Sequence, residues 1–257
     1  LLASGAPIAV MNLIRNQFST IKGGRLAKQC APARVVTLVV SDVPGDDPAV
    51  VASGPTIPLA GDRALARQYV DLYGIALPPQ AQTLLAGDEN LGPSADDPVF
   101  ARNSVRTIAS AALSLEAAAE QARRQGMAAA ILSDSIEGES RDVAQVHAAI
   151  AKEVLARNRP FAKPVVLLSG GETTVTLRGK GRGGRNAEFL LAMAIAIDGT
   201  KGITALAADT DGIDGSEDNA GAFVDGTTAN RLRRAGVDPL AALTNNDAYS
   251  AFQAIGN

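Results

Sequence analysis

From about residue 35 onward, runs of four to six β-branched or aliphatic residues alternate with amphipathic stretches of twelve to eighteen. That alternation constrains the fold more than any other feature, because it is the pattern of βαβ units, in which short apolar strands are joined by longer helices. The strands are expected at Val35–Val40, Ala128–Leu132, Val165–Leu168 and Ile203–Ala207, with a weaker one at Val105–Ala109. Since they carry apolar residues at nearly every position, they read as strands of a mostly parallel sheet buried on both faces. Helices are expected at Ala111–Gln125, Ser140–Arg157, Asn186–Ile197 and Ala220–Ala235. Gly126 and Gly236 fall just past two helix ends, where a left-handed C-cap favours glycine. Residues 43–100 are richer in Pro, Gly and Asp, around one helix at Asp62–Tyr73. We place a boundary at residue 98, giving a first domain over 1–98 and a second α/β domain over 99–257. The expected class is α/β: doubly wound, mostly parallel sheets flanked by helices, in two Rossmann-like domains with a cleft between them.

The charge balance excludes some partners. With 24 basic and 27 acidic residues, the chain has a net charge of −3. A general nucleic-acid binder would carry a basic face, and none is legible. No run approaches the roughly 20 apolar residues of a membrane span, and no signal peptide is visible. Cys30 is alone, so no disulfide forms within the chain, and a reducing cytoplasm is the simplest location. His147, the sole histidine, lies in the amphipathic stretch AQVHAAIAKEVL and reads as a helix-surface or core-edge residue. Both termini read as cut, the first inside the helical pattern LLASGAPIAVMNLIRNQF.

In open α/β sheets, ligands bind beyond the carboxyl ends of the strands. The clear strands run into Ser41-Asp42, Ser133-Asp134, Ser169-Gly170-Gly171-Glu172 and Asp209-Thr210-Asp211-Gly212, which together suggest one polar rim. Asp209 and Asp211, with Asp214 following, offer the hard oxygens that suit Mg²⁺, or a base for a hydroxyl proton. The basic counterpart is Gly179-Lys180-Gly181-Arg182-Gly183-Gly184-Arg185-Asn186, directly before an apolar helix. Glycines let a backbone approach an anion, a helix N-terminus offers free amides, and Lys180, Arg182 and Arg185 add full charges. Gly179–Gly184 also fits G-x-G-x-x-G, so a dinucleotide turn stays open, weakened by the cations at its variable positions. No Walker-type loop occurs.

The segments LLSGGETTVTLRGKGRGGRNAEFLLAMAIAI and ALAADTDGIDGSEDNAGAFVD resemble the C-terminal MOFRL region of glycerate 2-kinases. NLIRNQFSTIKGGRLA and TLVVSDVPGDDPAVVASGPTIP resemble the same family further upstream. The resemblance implies transfer of the γ-phosphoryl of ATP to the 2-hydroxyl of D-glycerate, with Mg²⁺. Carried onto this chain, it implies catalytic roles for Arg185, Asp209 and Asp211, and a metal role for Asp209, Asp211 and Asp42. Substrate and phosphate contacts fall to Lys22, Arg25, Ser169, Gly170, Gly171, Glu172, Thr173, Lys180, Arg182, Gly183, Gly184 and Asn186. Expected partners are D-glycerate and a nucleotide, with neither nucleic acid nor membrane, and a homodimer left open. The chain departs from the family pattern in two respects. It lacks the family's N-terminal region and its closing segment, so these residues alone are expected to be inactive. It also has Arg15-Asn16-Gln17-Phe18 where Arg-Lys-His-Leu is more usual. Some members carry the name hydroxypyruvate reductase, so an NAD(P)H-linked reductase and an inert ligand-binding fragment stand as alternatives.

Overall fold

A computed structural model describes residues 1, 4–43, 45–58, 63–87 and 92–257. The chain divides into two compact units, Leu1–Ser114 and Leu115–Asn257. Each is mixed α/β, and helices flank the strand pairs.

The first unit contains α1 (Ile8–Asn16), α2 (Arg25–Gln29), β1 (Val36–Val40), α3 (Arg63–Leu72), α4 (Pro79–Ala86) and β2 (Ser104–Ala109). The helical pattern legible from Leu1 begins as a regular helix only at Ile8, after Gly5 (φ 70°) and Pro7 break it. Leu2 and Ala3, and Asp62 at the expected start of α3, lie outside the described residues. β1 and β2 pair in parallel, Val36 opposite Ser104, so the strand expected at Val105–Ala109 belongs with the first unit. A small core gathers Ile14, Ala66, Ile75 and Leu85 from α1, α3, the α3–α4 turn and α4.

After α5 (Ala111–Arg124), the second unit runs β3 (Ala128–Glu139), α6 (Ser140–Arg157), β4 (Val165–Thr174) and α7 (Arg185–Ala196). It continues with β5 (Thr204–Ala208), β6 (Gly221–Asp225), α8 (Thr228–Arg234), α9 (Pro239–Thr244) and α10 (Ala248–Gln253). β3 and β4 are parallel and longer than expected, pairing from Ala128–Val165 to Glu139–Thr174. Ser133, Asp134 and the whole Ser169–Thr173 segment therefore lie inside paired strands and not on a rim beyond them. Gly171 permits this: at φ 146°, a Cβ there would stand 2.1 Å from the Ile136 carbonyl oxygen. Only glycine lets the strands approach so closely.

The helix expected over Ala220–Ala235 is two elements. GAFVD forms β6, antiparallel to β5, because Ala222 and Val224 alternate into the core, 3% and 2% exposed. Only Thr228–Arg234 is helical. Burial of the strands on both faces also fails. Val36, Leu38 and Val40 are 59%, 62% and 65% exposed, and the cross-strand pair Leu206–Phe223 is 60% exposed at each residue. Each strand has a single hydrogen-bonded neighbour among the described residues.

The core of the second unit is built around α7. Its residues Ala187, Leu190, Leu191 and Ala194 are completely buried, packed with Val224, Leu232 and Phe252. A helix apolar on all sides must be central, and the position of Arg185 at its first turn is correspondingly rigid. Among the described residues no helix is long and apolar enough to cross a membrane.

Candidate active site

Arg185 is the first residue of α7, following the N-cap Gly184. Its guanidinium forks between two carboxylates: Nη1 donates to Glu172 Oε1 at 2.6 Å, and Nη2 to Asp209 Oδ2 at 2.8 Å. Glu172 comes from β4 and Asp209 from just past β5, so three segments converge on one side chain. Burial acts to lower the Arg185 pKa, but the hydrogen bonds and charges of Glu172 and Asp209 outweigh it and raise the value. The guanidinium is about one-third exposed and Glu172 is 48% exposed, whereas Asp209 is only 14% exposed. The trio thus carries a net negative charge, with Asp209 the better-buried carboxylate and Glu172 the one free to yield its place.

The backbone beneath Arg185 is locked by groups distant in sequence. Ser140, fully buried at the start of α6, donates its hydroxyl to the Arg185 carbonyl at 2.6 Å. Thr173 Oγ1 reaches Ser140 Oγ at 3.3 Å, which ties β4 to the same point. Asp214, with no exposed surface, accepts from the Asn186 amide at 2.9 Å and the Ala187 amide at 2.8 Å. The α7 N-terminus therefore already holds an anion, supplied by the chain itself. An expected phosphate cradle of free amides is corrected on this point.

The glycine-rich loop is corrected in the same way. The amides of Arg178 and Gly179 donate to Asn246 Oδ1, that of Lys180 to Asn245 Oδ1, and that of Arg182 to Asp247 Oδ1. Gly181 donates to the Asn245 carbonyl. Five consecutive amides are thus spent on docking the loop onto the α9–α10 turn. The glycines serve that close docking: a Cβ on Gly179 or Gly181 would stand 2.3 Å from residues 245 and 247, and one on Gly184 would strike Asp214. Gly183 lies against the Tyr249 amide. What remains for a ligand is side-chain charge. Arg182 pairs with Glu217 and lies 4.7 Å over the Tyr249 ring, while the exposed Lys180 amine has no partner among the described residues.

Of the other expected residues, Ser169 accepts or donates a 2.9 Å hydrogen bond with His147 Nε2, and Gly170 sits within β4. His147 is therefore a helix-to-strand tie, edge-on to Phe189. Asp211 is exposed and accepts from the Ile213 amide at 3.0 Å. Lys22, Arg25 and Asp42 belong to the first unit, so Asp42 falls in a different compact unit from Asp209 and Asp211. Among the described residues no three His, Cys, Asp or Glu side chains are grouped to hold a metal. Asp209 is moreover engaged by Arg185. Among the described residues, the side chains present do not compose a resident metal centre.

Sequence reading missed the buried ion pair beneath the loop. Glu188 on α7, 2% exposed, takes Arg141 Nε at 2.9 Å, and Asn246 Nδ2 donates to its second oxygen at 2.9 Å. Nothing local announces these partners, which lie 47 and 58 residues away.

Comparison with known proteins places these features in a family context. The MOFRL family model matches residues 165–257, and a domain of unknown function, DUF4147, matches residues 1–86. A putative hydroxypyruvate reductase of Agrobacterium vitis is 52% identical, covering 99% of this chain and 66% of its own length. A glycerate kinase of Macaca fascicularis is 33% identical over 98% of this chain and 74% of its own. The crystal structure of a glycerate kinase from Thermotoga maritima superposes with a TM-score of 0.89 at 38% identity, covering all of this chain and 60% of that one. The chain spans 58% to 66% of the length of several curated relatives that it matches.

Proposed function

Because this chain belongs to the glycerate kinase family, we propose that the protein it forms part of transfers the γ-phosphoryl of ATP to the 2-hydroxyl of D-glycerate. The observation that carries this reading is Arg185 forked between Glu172 and Asp209 on a rigid helix start. In the reaction, the glycerate 2-oxygen forms a bond to the γ-phosphorus and the bond to the β-phosphate oxygen breaks. The hydroxyl proton passes to Asp209, and ADP leaves. Phosphoryl transfer needs positioning and charge neutralisation more than covalent chemistry from the protein. Arg185 supplies both: it orients Asp209, and it turns toward the transferring phosphoryl when the exposed Glu172 gives way. Lys180 and Arg182 add cations on the neighbouring loop, and magnesium arrives bound to ATP. The residues in hand account for part of the relatives' length, so the activity belongs to the whole protein, a cytoplasmic enzyme on this reading, and the 257 residues alone are expected to bind without turnover.

The reductase reading has a relative's name in its favour, but the Gly179–Arg182 amides, four of those that a dinucleotide pyrophosphate would approach, are bonded to residues 245–247. A parallel assay on the full-length protein separates the two. One arm contains D-glycerate, ATP and Mg²⁺; the other contains hydroxypyruvate with NADH or NADPH. The expected result is ADP release with 2-phosphoglycerate. Nicotinamide oxidation without ADP release overturns the kinase reading.

A further inference from the structure

The turn between α9 and α10 does more than receive the glycine-rich loop. Asn246, 4% exposed, stands there at φ 54°, a left-handed conformation that asparagine tolerates better than most side chains. Its Oδ1 accepts from the Arg178 amide at 2.7 Å and the Gly179 amide at 3.0 Å. Its Nδ2 donates to the Thr176 carbonyl at 3.3 Å and to Glu188 Oε2 at 2.9 Å. Both lone pairs and both protons of the carboxamide are therefore used. Its orientation is forced, since backbone amides only donate, and a carbonyl or an ionised carboxylate only accepts. Of the three turn residues that hold the loop, Asn245, Asn246 and Asp247, only Asn246 also hydrogen-bonds α7 among the described residues. Glu188 lies one turn beyond Arg185 on that helix, 2% exposed, and its other oxygen takes Arg141 Nε at 2.9 Å.

We propose that Asn246 is a positioning residue for phosphoryl transfer: by joining the loop to Glu188 of α7, it sets Lys180 and Arg182 in register with Arg185 for the donor's phosphates. The role rests on the kinase reading of this site. Between the end of β4 at Thr174 and the start of α7 at Arg185, the loop has glycine at positions 179, 181, 183 and 184. Such a backbone resists displacement weakly by itself. Asn245 and Asp247 tie its middle to the α9–α10 turn, and Asn246 ties that assembly to the helix. A displacement of about 1 Å in a group that positions substrate is enough to matter for turnover. The joint also dictates the residue type. An aspartate would set a second carboxylate against Glu188, and an apolar side chain would leave the loop amides unpaired. A carboxamide accepts from the loop and donates to the helix at once. Asp214 and Ser140 fix the Arg185 backbone separately, so Asn246 governs the loop cations and not Arg185 itself.

The test is steady-state kinetics of Asn246→Asp in the full-length protein from about pH 5.5 to 8.5, each KM for ATP divided by that of wild type at the same pH. An aspartate keeps the acceptor for the loop but faces Glu188, with Arg141, Glu139, Arg178 and Asp247 as the other charged groups around the pair. One proton shared between the two carboxylates restores the donor, and the like charge raises its pKa. The KM ratio is therefore expected to stay near one at the acid end and to climb about tenfold as that proton leaves, with kcat at saturating ATP within about threefold of wild type. Asn246→Gly, which suits the left-handed backbone and deletes the carboxamide, is expected to raise the ratio at every pH without a trend. It decides the matter should the aspartate variant not fold. A ratio near one across the range, with only the unfolding midpoint falling, overturns the proposal and leaves Asn246 a structural tie. Loss of kcat at unchanged KM also overturns it, because the effect would then lie on Arg185. If wild type makes no 2-phosphoglycerate, the kinase reading fails, and the same ratios are taken from the Kd of inorganic tripolyphosphate. A climb there supports the role of Asn246, and a flat series overturns it.

Discussion

Asp214 Oδ2 accepts the Ala187 amide at 2.8 Å from a carboxylate with no solvent exposure, so the first turn of α7 is fixed by a residue that follows it by 27 positions. A buried charged cap that satisfies two amides contributes more than an exposed one. Asp214→Ala is expected to destabilise the chain by about 2–4 kcal/mol in chemical denaturation, combining a lost cap with orphaned buried amides. A loss under about 0.5 kcal/mol would mean water substitutes freely and the Arg185 backbone is not anchored this way.

The Arg141–Glu188 pair makes a sharper demand. With side chains 13% and 3% exposed, removing one partner strands a charge in the core. Glu188→Ala is expected to cost about 3–5 kcal/mol, whereas replacing both residues by Met recovers most of that loss. If the double substitution is as damaging as the single one, packing and not stranded charge is the cause.

Acid stability follows from Glu139. Burial acts to raise its pKa, but the hydroxyl and amide of Thr176 and the charges of Arg141 and Arg178 prevail and lower it below the ordinary 4.5. A carboxyl depressed on folding contributes stability that is complete above its ordinary pKa and lost as pH falls through the depressed one. Asp225, lowered from 3.8 chiefly by the Thr227 hydroxyl and amide, acts in the same direction. Unfolding midpoints should therefore decline below about pH 4.5, and Glu139→Gln should flatten that decline. Arg185, raised above the ordinary arginine value, loses its contribution only in strong alkali and leaves no mark on this curve. An identical acid limb in Glu139→Gln would remove Glu139 from the account.

Arg182 bears on both ligand binding and structure. It is 60% exposed, but the Glu217 side chain it pairs with is only 7% exposed, so its loss leaves that carboxylate unpaired and is expected to lower the unfolding midpoint as well. If it contacts the donor phosphates, Arg182→Ala in the full-length enzyme raises the KM for ATP by roughly tenfold, the scale of one charge-assisted hydrogen bond. An unchanged KM would return Arg182 to the docking of its own loop.

Local pattern carried much of the fold. α6 spans Ser140–Arg157, the limits its amphipathic period sets, and Gly126 and Gly236 take the left-handed conformation at the ends of α5 and α8. β6 was hidden because five residues with Ala222 and Val224 turned inward run directly into the helical NRLRR segment. The site was legible as a set of residue types but not as a set of bonds. Arg185, Glu172 and Asp209 meet in one cluster that the sequence did not announce, and the glycines read as an anion cradle admit neighbouring backbone instead. The partners that fill the cradle, Asp214 and residues 245–247, lie 27 to 68 positions away, beyond the reach of any local period.

Turnover of Arg185→Ala in the full-length protein tests the central claim most directly, with D-glycerate, ATP and magnesium at saturation and ADP followed. An arginine that stabilises the transferring phosphoryl should cost about 10³-fold or more in kcat on removal, by comparison with lost arginine fingers. A kcat within about tenfold of wild type, in a variant that folds normally, would contradict the assignment of phosphoryl transfer to this cluster.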